Sequence, residues 1–229
     1  MARLSRLLLP LAAVGGAALY VRGVSRFRDP IRVPPGEAGA VLSPADGLVS
    51  FVRRIESGEV RVETLAAPLR ARDLTGMEVG EGWLLGLSVG PLDVRFLYAP
   101  VDGPARAVTH RESRLNVPLG GGPLVGLAAT ASGLVGWPAD LLGTRGAVEN
   151  ERHTTTLDTP RGEVGVTLVA GVGGLRATSY LRPGDTARAG YKLAFLEEGG
   201  LVLLTLPAGI TPQVGVGDRV RGAETVVAR

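Results

Sequence analysis

Residues 201–206 read Leu-Val-Leu-Leu-Thr-Leu, a run rich in Leu and Val that lies between Gly200 and Pro207. A short run of this kind, bounded by turn residues, predicts a β-strand. Runs of similar length and composition recur along the chain, at residues 47–52, 60–65, 83–89 and 164–169. The sequence therefore predicts a mainly β (α+β) fold, with a single compact multi-stranded domain over residues 29–229.

Helical periodicity is scarce outside these runs. Residues 69–74 allow one helical turn, and residues 128–142 are apolar but are interrupted by Gly133, Gly136 and Pro138. Glycine and proline number 34 and 16 of the 229 residues, and aromatic residues make up only 4%. We therefore expect many turns and a core built mainly from Val, Leu and Ala.

The composition excludes several kinds of chemistry. The chain has no cysteine, which rules out a disulfide scaffold, a zinc site made of thiolates, an iron–sulfur cluster and thiol catalysis. Its two histidines, His110 and His153, are too few for a histidine-based metal cage. We therefore predict no metal site.

The positive charge is carried almost entirely by arginine. The formal net charge is +3, and Lys192 is the only lysine among 25 basic residues. A bias in genome composition would explain this, but so would phosphate binding, since a guanidinium matches phosphate oxygens with a planar fork of donors. No basic block is interleaved with aromatic residues, so we predict no nucleic-acid partner.

The amino-terminal residues 7–21 form a stretch of fifteen residues without a charge. As a helix the stretch would cover about 22 Å, which is shorter than a bilayer core of about 30 Å. The arginines that follow it, at positions 22, 26 and 28, disfavour a cleaved signal peptide, and Pro10 disfavours a soluble amphipathic helix. We predict that residues 1–28 form a short apolar helix that lies on the cell membrane or anchors in it, with the body on the cytoplasmic side.

Six short motifs occur in order through the body of the chain. They are Phe27-Arg-Asp-Pro30; Ser43-Pro-Ala-Asp-Gly47; Gly90-Pro-Leu-Asp-Val94 with Ala99-Pro-Val101; Asn150-Glu-Arg152; Val169-Ala-Gly171; and Gly217-Asp-Arg-Val220 with residues 222–225. Each motif alone is weak, but the ordered set is specific. It resembles the phosphatidylserine decarboxylase family, in particular its short prokaryotic branch, over residues 27–228.

The resemblance implies a carboxy-lyase that makes a pyruvoyl group from its own chain. In the family, the serine of a Gly-Ser pair attacks the preceding carbonyl, and elimination and hydrolysis leave a ketone at a new amino terminus. That ketone forms a Schiff base with the substrate amine and accepts electrons as carbon dioxide leaves. A carboxylate and histidines supply the proton transfers in the family.

This sequence departs from the family at the positions that carry that chemistry. The family's Gly-Ser pair corresponds to Gly199-Gly200, and glycine has no hydroxyl, so the resemblance predicts neither self-cleavage nor a pyruvoyl cofactor. The family's two histidine positions fall on Arg95 and Tyr98. The carboxylate of Asp46 is the only member of the serine, acid and base set that is retained.

We therefore predict a membrane-associated relative of phosphatidylserine decarboxylase in phospholipid metabolism that does not cleave itself. Phospholipid binding is a candidate role, with Arg95 and Arg152 as candidate ligands of a lipid phosphate. Membrane phospholipid is the expected partner, and a second copy of the chain or another lipid enzyme is a further candidate. Two alternatives stay open: an active pyruvoyl-dependent phosphatidylserine or archaetidylserine decarboxylase, and a β scaffold without ligand.

Each of these residues also has a purely structural interpretation. Asp46 could simply form the turn in Pro-Ala-Asp-Gly, and Arg95 could be solvated on a strand. Residues 150–152 could be a hydrogen-bonded loop that supports the fold, and Gly199-Gly200 could keep a tight backbone turn without chemistry.

Overall fold

The computed structural model of the chain describes residues 15–16, 19–20, 23–119 and 140–229. Most of the predicted membrane segment, and residues 128–139 of the second apolar stretch, lie outside the described residues. None of the helices within the described ranges is long and apolar enough to cross a membrane.

Strands make up most of the regular structure in the described residues, which confirms the prediction of a mainly β fold. They are β1 (Val41–Leu42), β2 (Gly47–Glu56), β3 (Glu59–Val60), β4 (Leu69–Arg70), β5 (Gly82–Val89), β6 (Phe96–Tyr98), β7 (Gly103–Arg111), β8 (Arg152–Thr159), β9 (Gly162–Val169), β10 (Ala177–Ser179), β11 (Thr186–Ala187), β12 (Lys192–Leu196), β13 (Gly200–Pro207), β14 (Arg219–Val220) and β15 (Val226–Ala228). Two short helices accompany them, α1 (Ala71–Thr75) and α2 (Arg145–Glu149), with a 3₁₀ turn at Ser25–Phe27.

Among these residues, one large antiparallel sheet organises the fold. Its strand order is β11-β7-β8-β9-β13-β5-β2-β3-β4, and β14 pairs with β2. A three-stranded sheet in the order β10-β12-β6 and the pair β1-β15 complete the structure. Strand β13 lies near the middle of the large sheet between β9 and β5, and residues 201–206 are fully buried.

Four of the five predicted strands are present, and one prediction is wrong. The expected strand over residues 60–65 ends at Val60. Beyond it the amide of Leu65 donates a hydrogen bond to the carbonyl of Val62 at 3.1 Å, so the backbone closes a turn instead of pairing with a neighbouring strand. The predicted helical turn near residues 69–74 is confirmed as α1.

The large sheet separates two apolar cores. One contains Val49, Leu87, Leu168, Val202 and Leu204 and packs toward the three-stranded sheet. The other contains side chains from the opposite face, together with residues from the two helices; among them are Phe51, Leu74, Leu84, Ala147 and Leu203. Because both faces are covered, central strands such as β13 are apolar throughout.

The register of the large sheet gathers the family motifs at one end. Leu201 pairs with Ser88 and with Val169, while Ser88 also pairs with Leu48 and Val169 with Arg152. This row crosses five strands at the end where β2, β13 and β8 begin and where β5 and β9 finish. Residues next to the row therefore share one sheet edge; they are Asp46, Gly199, Gly200 and Glu151.

Candidate functional site

The Asp46 carboxylate is held in a buried ion pair. Arg32 donates from Nη2 to both carboxylate oxygens, at 2.8 and 2.7 Å, and the amide of Gly222 donates to Oδ1 at 2.8 Å. The side chains of Arg32 and Asp46 are only 9% and 15% exposed. Arg32 also bonds Glu224 at 3.2 Å. A carboxylate that accepts these three hydrogen bonds is fixed in place.

Tyr98 lies beside this ion pair. Its ring centroid is 6.0 Å from the guanidinium carbon of Arg32, and its amide donates to the carbonyl of Pro44 at 2.8 Å. Burial raises the pKa of the Tyr98 hydroxyl, and the charge of Arg32 acts in the opposite direction. A Cβ at Gly222 would lie 2.7 Å from the Tyr98 ring, so that glycine makes room for the aromatic side chain. The structure thus brings Asp46 and Tyr98 together.

Gly199 and Gly200 lie against backbone on both sides. A Cβ placed on Gly200 would lie 2.7 Å from the carbonyl oxygen of Val169, and one on Gly199 would lie 2.5 Å from that of Val89. Contacts this short require the backbone to shift. Gly200 is the first residue of β13 and pairs with Val89, so close strand pairing has taken the space of a side chain.

The Arg95 side chain is buried next to these glycines. It is only 6% exposed, and its Nη1 lies 3.0 Å from the Cβ position of Gly199. Within the described part of the chain, its Nε and Nη1 have no hydrogen-bond partner. The carboxylate of Asp93, two residues away, bonds Arg219 at 2.6 Å and the amide of Gly90 at 2.7 Å instead. The alternative of a solvated Arg95 is therefore wrong.

The Arg152 guanidinium has a structural role. Its five N–H groups all point at backbone carbonyls; the acceptors are Asp73, Leu74, Ala147, Val148 and Asn150. Burial lowers its pKa to about 10, and the nearby charge of Arg111 adds to that shift. No donor is left for a phosphate, which argues against the prediction that Arg152 binds one.

The two residues before Arg152 form a hydrogen-bonded loop. The side-chain amide of Asn150 donates to the carbonyls of Val117 and Ala170, each at 2.7 Å, and accepts a hydrogen bond from the backbone amide of Val117 at 2.8 Å. Burial raises the pKa of Glu151, but hydrogen bonds from the amide of Leu175 and from His110 outweigh it and lower the pKa overall. The loop interpretation is confirmed for residues 150 and 151, whereas Arg152 is the first residue of β8.

His153 is the second residue of β8 and pairs with His110 on β7. Its ring is 6.3 Å from that of His110, and burial, with a smaller contribution from His110, lowers its pKa. Neither histidine contacts Asp46. No group of three or more metal-binding side chains is present among the residues that the structure describes.

An aromatic cavity of about 800 Å³ opens beside the Asp46–Arg32 pair, and the sequence did not reveal it. It is lined by Asp29, Pro30, Arg32, Pro34, Phe96, Tyr98, Tyr180, Gly190, Tyr191 and Lys192. Three of the four tyrosines of the chain are in that set. Two of the lining residues are cations, Arg32 and Lys192. Arg32 forms an ion pair with Asp46, and Lys192 forms one with Asp29. The Lys192 Nζ also lies 4.2 Å from the centroid of the Phe96 ring.

The only signal for this cavity in the sequence is the position of Arg32 and its neighbours. Four of the lining residues lie in or directly after the motif Phe27-Arg-Asp-Pro30; they are Asp29, Pro30, Arg32 and Pro34. The cavity thus lies between residues 29–34, which follow the amino-terminal segment, and the site that contains Asp46 and Tyr98.

Comparison with known proteins identifies the family. The model of the family described as phosphatidylserine decarboxylase matches residues 21–228. The chain belongs to the phosphatidylserine decarboxylase family. A relative from Methanothermobacter thermautotrophicus, named putative archaetidylserine decarboxylase proenzyme, is 28% identical over 89% of this chain and 78% of its own. The phosphatidylserine decarboxylase proenzymes of Granulibacter bethesdensis and Erythrobacter litoralis are each 28% identical, over 88% and 89% of this chain and 68% and 71% of theirs.

The residues of this chain do not fit the pyruvoyl group that the family implies. Such a group arises from a hydroxyl-bearing side chain at the cleavage pair, and Gly199-Gly200 has none. The backbone carbonyls of Val89 and Val169 also fill the space that a side chain would need there.

Proposed function

We propose that this protein is a membrane-associated member of the phosphatidylserine decarboxylase family that does not cleave itself, forms no pyruvoyl group and binds phospholipid. It acts in phospholipid metabolism without decarboxylation. The observation that carries the proposal is Gly200, which has neither the hydroxyl nor the space for the side chain that would supply one.

The ion pair at Asp46 supports the same proposal. Removing a proton from a nucleophile requires a carboxylate that can accept it, or a histidine beside it. Here Arg32 and Gly222 donate to Asp46, and Tyr98 and Arg95 stand where the family's histidines are expected. Both histidine positions thus carry another residue, and the retained carboxylate of Asp46 is bonded to Arg32 and Gly222.

The aromatic cavity supports phospholipid binding. Its walls are mostly apolar, and the cations at its edge, Arg32 and Lys192, suit the border between a lipid tail and an anionic head group. Its volume of about 800 Å³ is enough for part of a lipid molecule.

Intact mass spectrometry of the purified full-length protein tests the loss of self-cleavage. We expect a single chain of 23.7 kDa that stays uncut on prolonged incubation at neutral pH. Two fragments, the smaller one with a blocked amino terminus, would contradict the proposal. They would support the alternative of an active decarboxylase, which the names of the relatives favour because three of them are called proenzymes.

Membrane association is expected to depend on residues 7–21, and the segment after them supports it. Phe27, Ile31 and Val33 are 53%, 92% and 74% exposed, so apolar side chains continue from the predicted anchor onto the surface of the body. Such neighbouring exposed apolar residues are typical of a membrane-facing surface.

We expect the full-length protein to float with vesicles in a density gradient. The variants Leu11→Asp and Val14→Asp should each weaken flotation by about tenfold or more, because a carboxylate in the apolar stretch costs about 2.5–3.5 kcal/mol. The matched control Val216→Asp changes an exposed apolar residue of the body and should float like the wild type. Equal flotation of all four proteins would contradict this placement of the anchor.

A further inference from the structure

Three arginines lie near one another at the sheet edge that contains Gly199 and Gly200. Arg95 is buried beside Gly199, and its Nε and Nη1 have no hydrogen-bond partner among the described residues. Arg26 contributes a further buried nitrogen without a partner among the described residues, its Nε. Buried polar nitrogens are almost always hydrogen-bonded in folded proteins, so the three nitrogens of these two arginines need an explanation.

The segment that carries Arg26 is packed firmly onto this edge. The ring of Phe27 stacks on that of Phe195, with centroids 5.7 Å apart. Arg28 donates to the carbonyl of Leu92, in the turn that precedes Arg95. The amide of Leu196 donates to the carbonyl of Arg95 at 2.9 Å. Arg26 and Arg28 are therefore placed near Arg95 by contacts on both sides of it.

No carboxylate among the described residues forms an ion pair with Arg95. The two nearby carboxylates are Asp93, which already bonds Arg219 and the amide of Gly90, and Glu198, which lies beyond ion-pair distance of Arg95. Burial lowers the pKa of Arg95; the charges of Asp93 and Glu198 oppose that shift, and those of Arg26 and Arg28 add to it. A buried guanidinium whose N–H groups have no acceptor is costly unless an anion binds there.

We propose that Arg95, with Arg26 and Arg28, binds the phosphate group of a phospholipid or of free phosphate at this edge. A phosphate offers several oxygens to guanidinium donors from separate segments, and it compensates more than one positive charge. Arg95 lies in the connection between β5 and β6, and Arg26 and Arg28 lie in and directly after the 3₁₀ turn Ser25–Phe27. The inference rests on the proposed function, because it places a phosphate at the edge where the family's cleavage pair is replaced by Gly199-Gly200.

The first arm of the test measures thermal unfolding of the full-length protein in detergent micelles. About 5 mM inorganic phosphate at constant ionic strength should raise the melting temperature by about 2–6 °C, because a ligand that binds only the folded state stabilises it. The Arg95→Met variant should melt higher than the wild type without phosphate, since it removes an unpaired buried charge, and should not respond to phosphate. The control Arg61→Met, which changes an exposed arginine, should respond like the wild type.

The second arm measures binding to vesicles of phosphatidylcholine with about 20% phosphatidylglycerol. Loss of Arg95 should weaken binding by about tenfold relative to Arg61→Met, the amount expected for lost charge-assisted hydrogen bonds. A response in this arm alone assigns the phosphate to a lipid head group, and a response to inorganic phosphate alone assigns it to free phosphate; either supports the site.

No response of the wild type in either arm would overturn the inference, and so would equal losses in Arg95→Met and Arg61→Met. If Arg95→Met does not fold, Arg26→Gln replaces it, because the Arg26 side chain is only half-buried. Intact mass on the same samples separates the two proposals. A cut chain that binds phosphate contradicts the proposed function alone, and an uncut chain that does not bind it contradicts the phosphate site alone.

Discussion

A Gly200→Ser variant is expected to remain a single uncut chain and to unfold more easily than the wild type. The new Cβ would lie 2.7 Å from the carbonyl oxygen of Val169, so strands β13 and β9 must move apart locally. Adjustments of this kind in a packed core cost about 1–3 kcal/mol. The added hydroxyl would also find Asp46 bonded to Arg32 and Gly222, with no histidine at positions 95 or 98 to accept its proton.

Intact mass tests whether the Gly200→Ser chain stays uncut, and urea-induced unfolding measures its loss of stability. The matched control is Gly209→Ser, since no atom lies within 4 Å of the Cβ position at that exposed glycine. We expect the control to change the free energy of unfolding by less than about 1 kcal/mol. Efficient cleavage of Gly200→Ser would show that Arg95 and Tyr98 do not prevent processing. Unchanged stability would show that the strands accept a side chain there.

The central strands could be predicted from the sequence because burial on both faces leaves a continuous apolar run. Residues 201–206 and 164–169 show this clearly. The three-stranded sheet could not be predicted in the same way, because β6 and β10 have three residues each and carry no period of their own. Their pairing with β12 depends on how distant parts of the chain pack, which a local pattern does not record.

The candidate site was likewise predictable only in part. The motifs predicted that Asp46, Tyr98 and Gly200 belong to one site, and the strand register places Asp46 and Gly200 at one edge, with Tyr98 beside Asp46. They did not predict the partner of Asp46, because Arg32 lies fourteen residues earlier and reaches it only through packing. The burial of Arg95 was equally hidden, since its neighbour in sequence, Asp93, pairs with Arg219 across the fold.

Replacing Arg152 by methionine is expected to destabilise the protein by about 3–5 kcal/mol, because the carbonyls that it satisfies would lose their donors inside the fold. Those carbonyls belong to the ends of α1 and α2 and to Asn150, so one guanidinium connects two helices to the start of β8. Equilibrium unfolding in urea measures the loss. The control Arg111→Met removes an exposed arginine that donates to the carbonyl of Asp73, and should cost less than about 1 kcal/mol.

Arg152 and Arg95 are both buried arginines. We expect their substitution to have opposite effects on the melting temperature, because Arg152 supports the fold and Arg95 binds a ligand. Arg152→Met should lower the melting temperature yet keep the response to phosphate, because its donors all serve backbone carbonyls. Arg95→Met should raise the melting temperature and lose the response, because two of its nitrogens have no acceptor within the described residues. Loss of the phosphate response in a folded Arg152→Met protein would contradict this division, since it would give Arg152 a role in the ligand site that its hydrogen bonds do not allow.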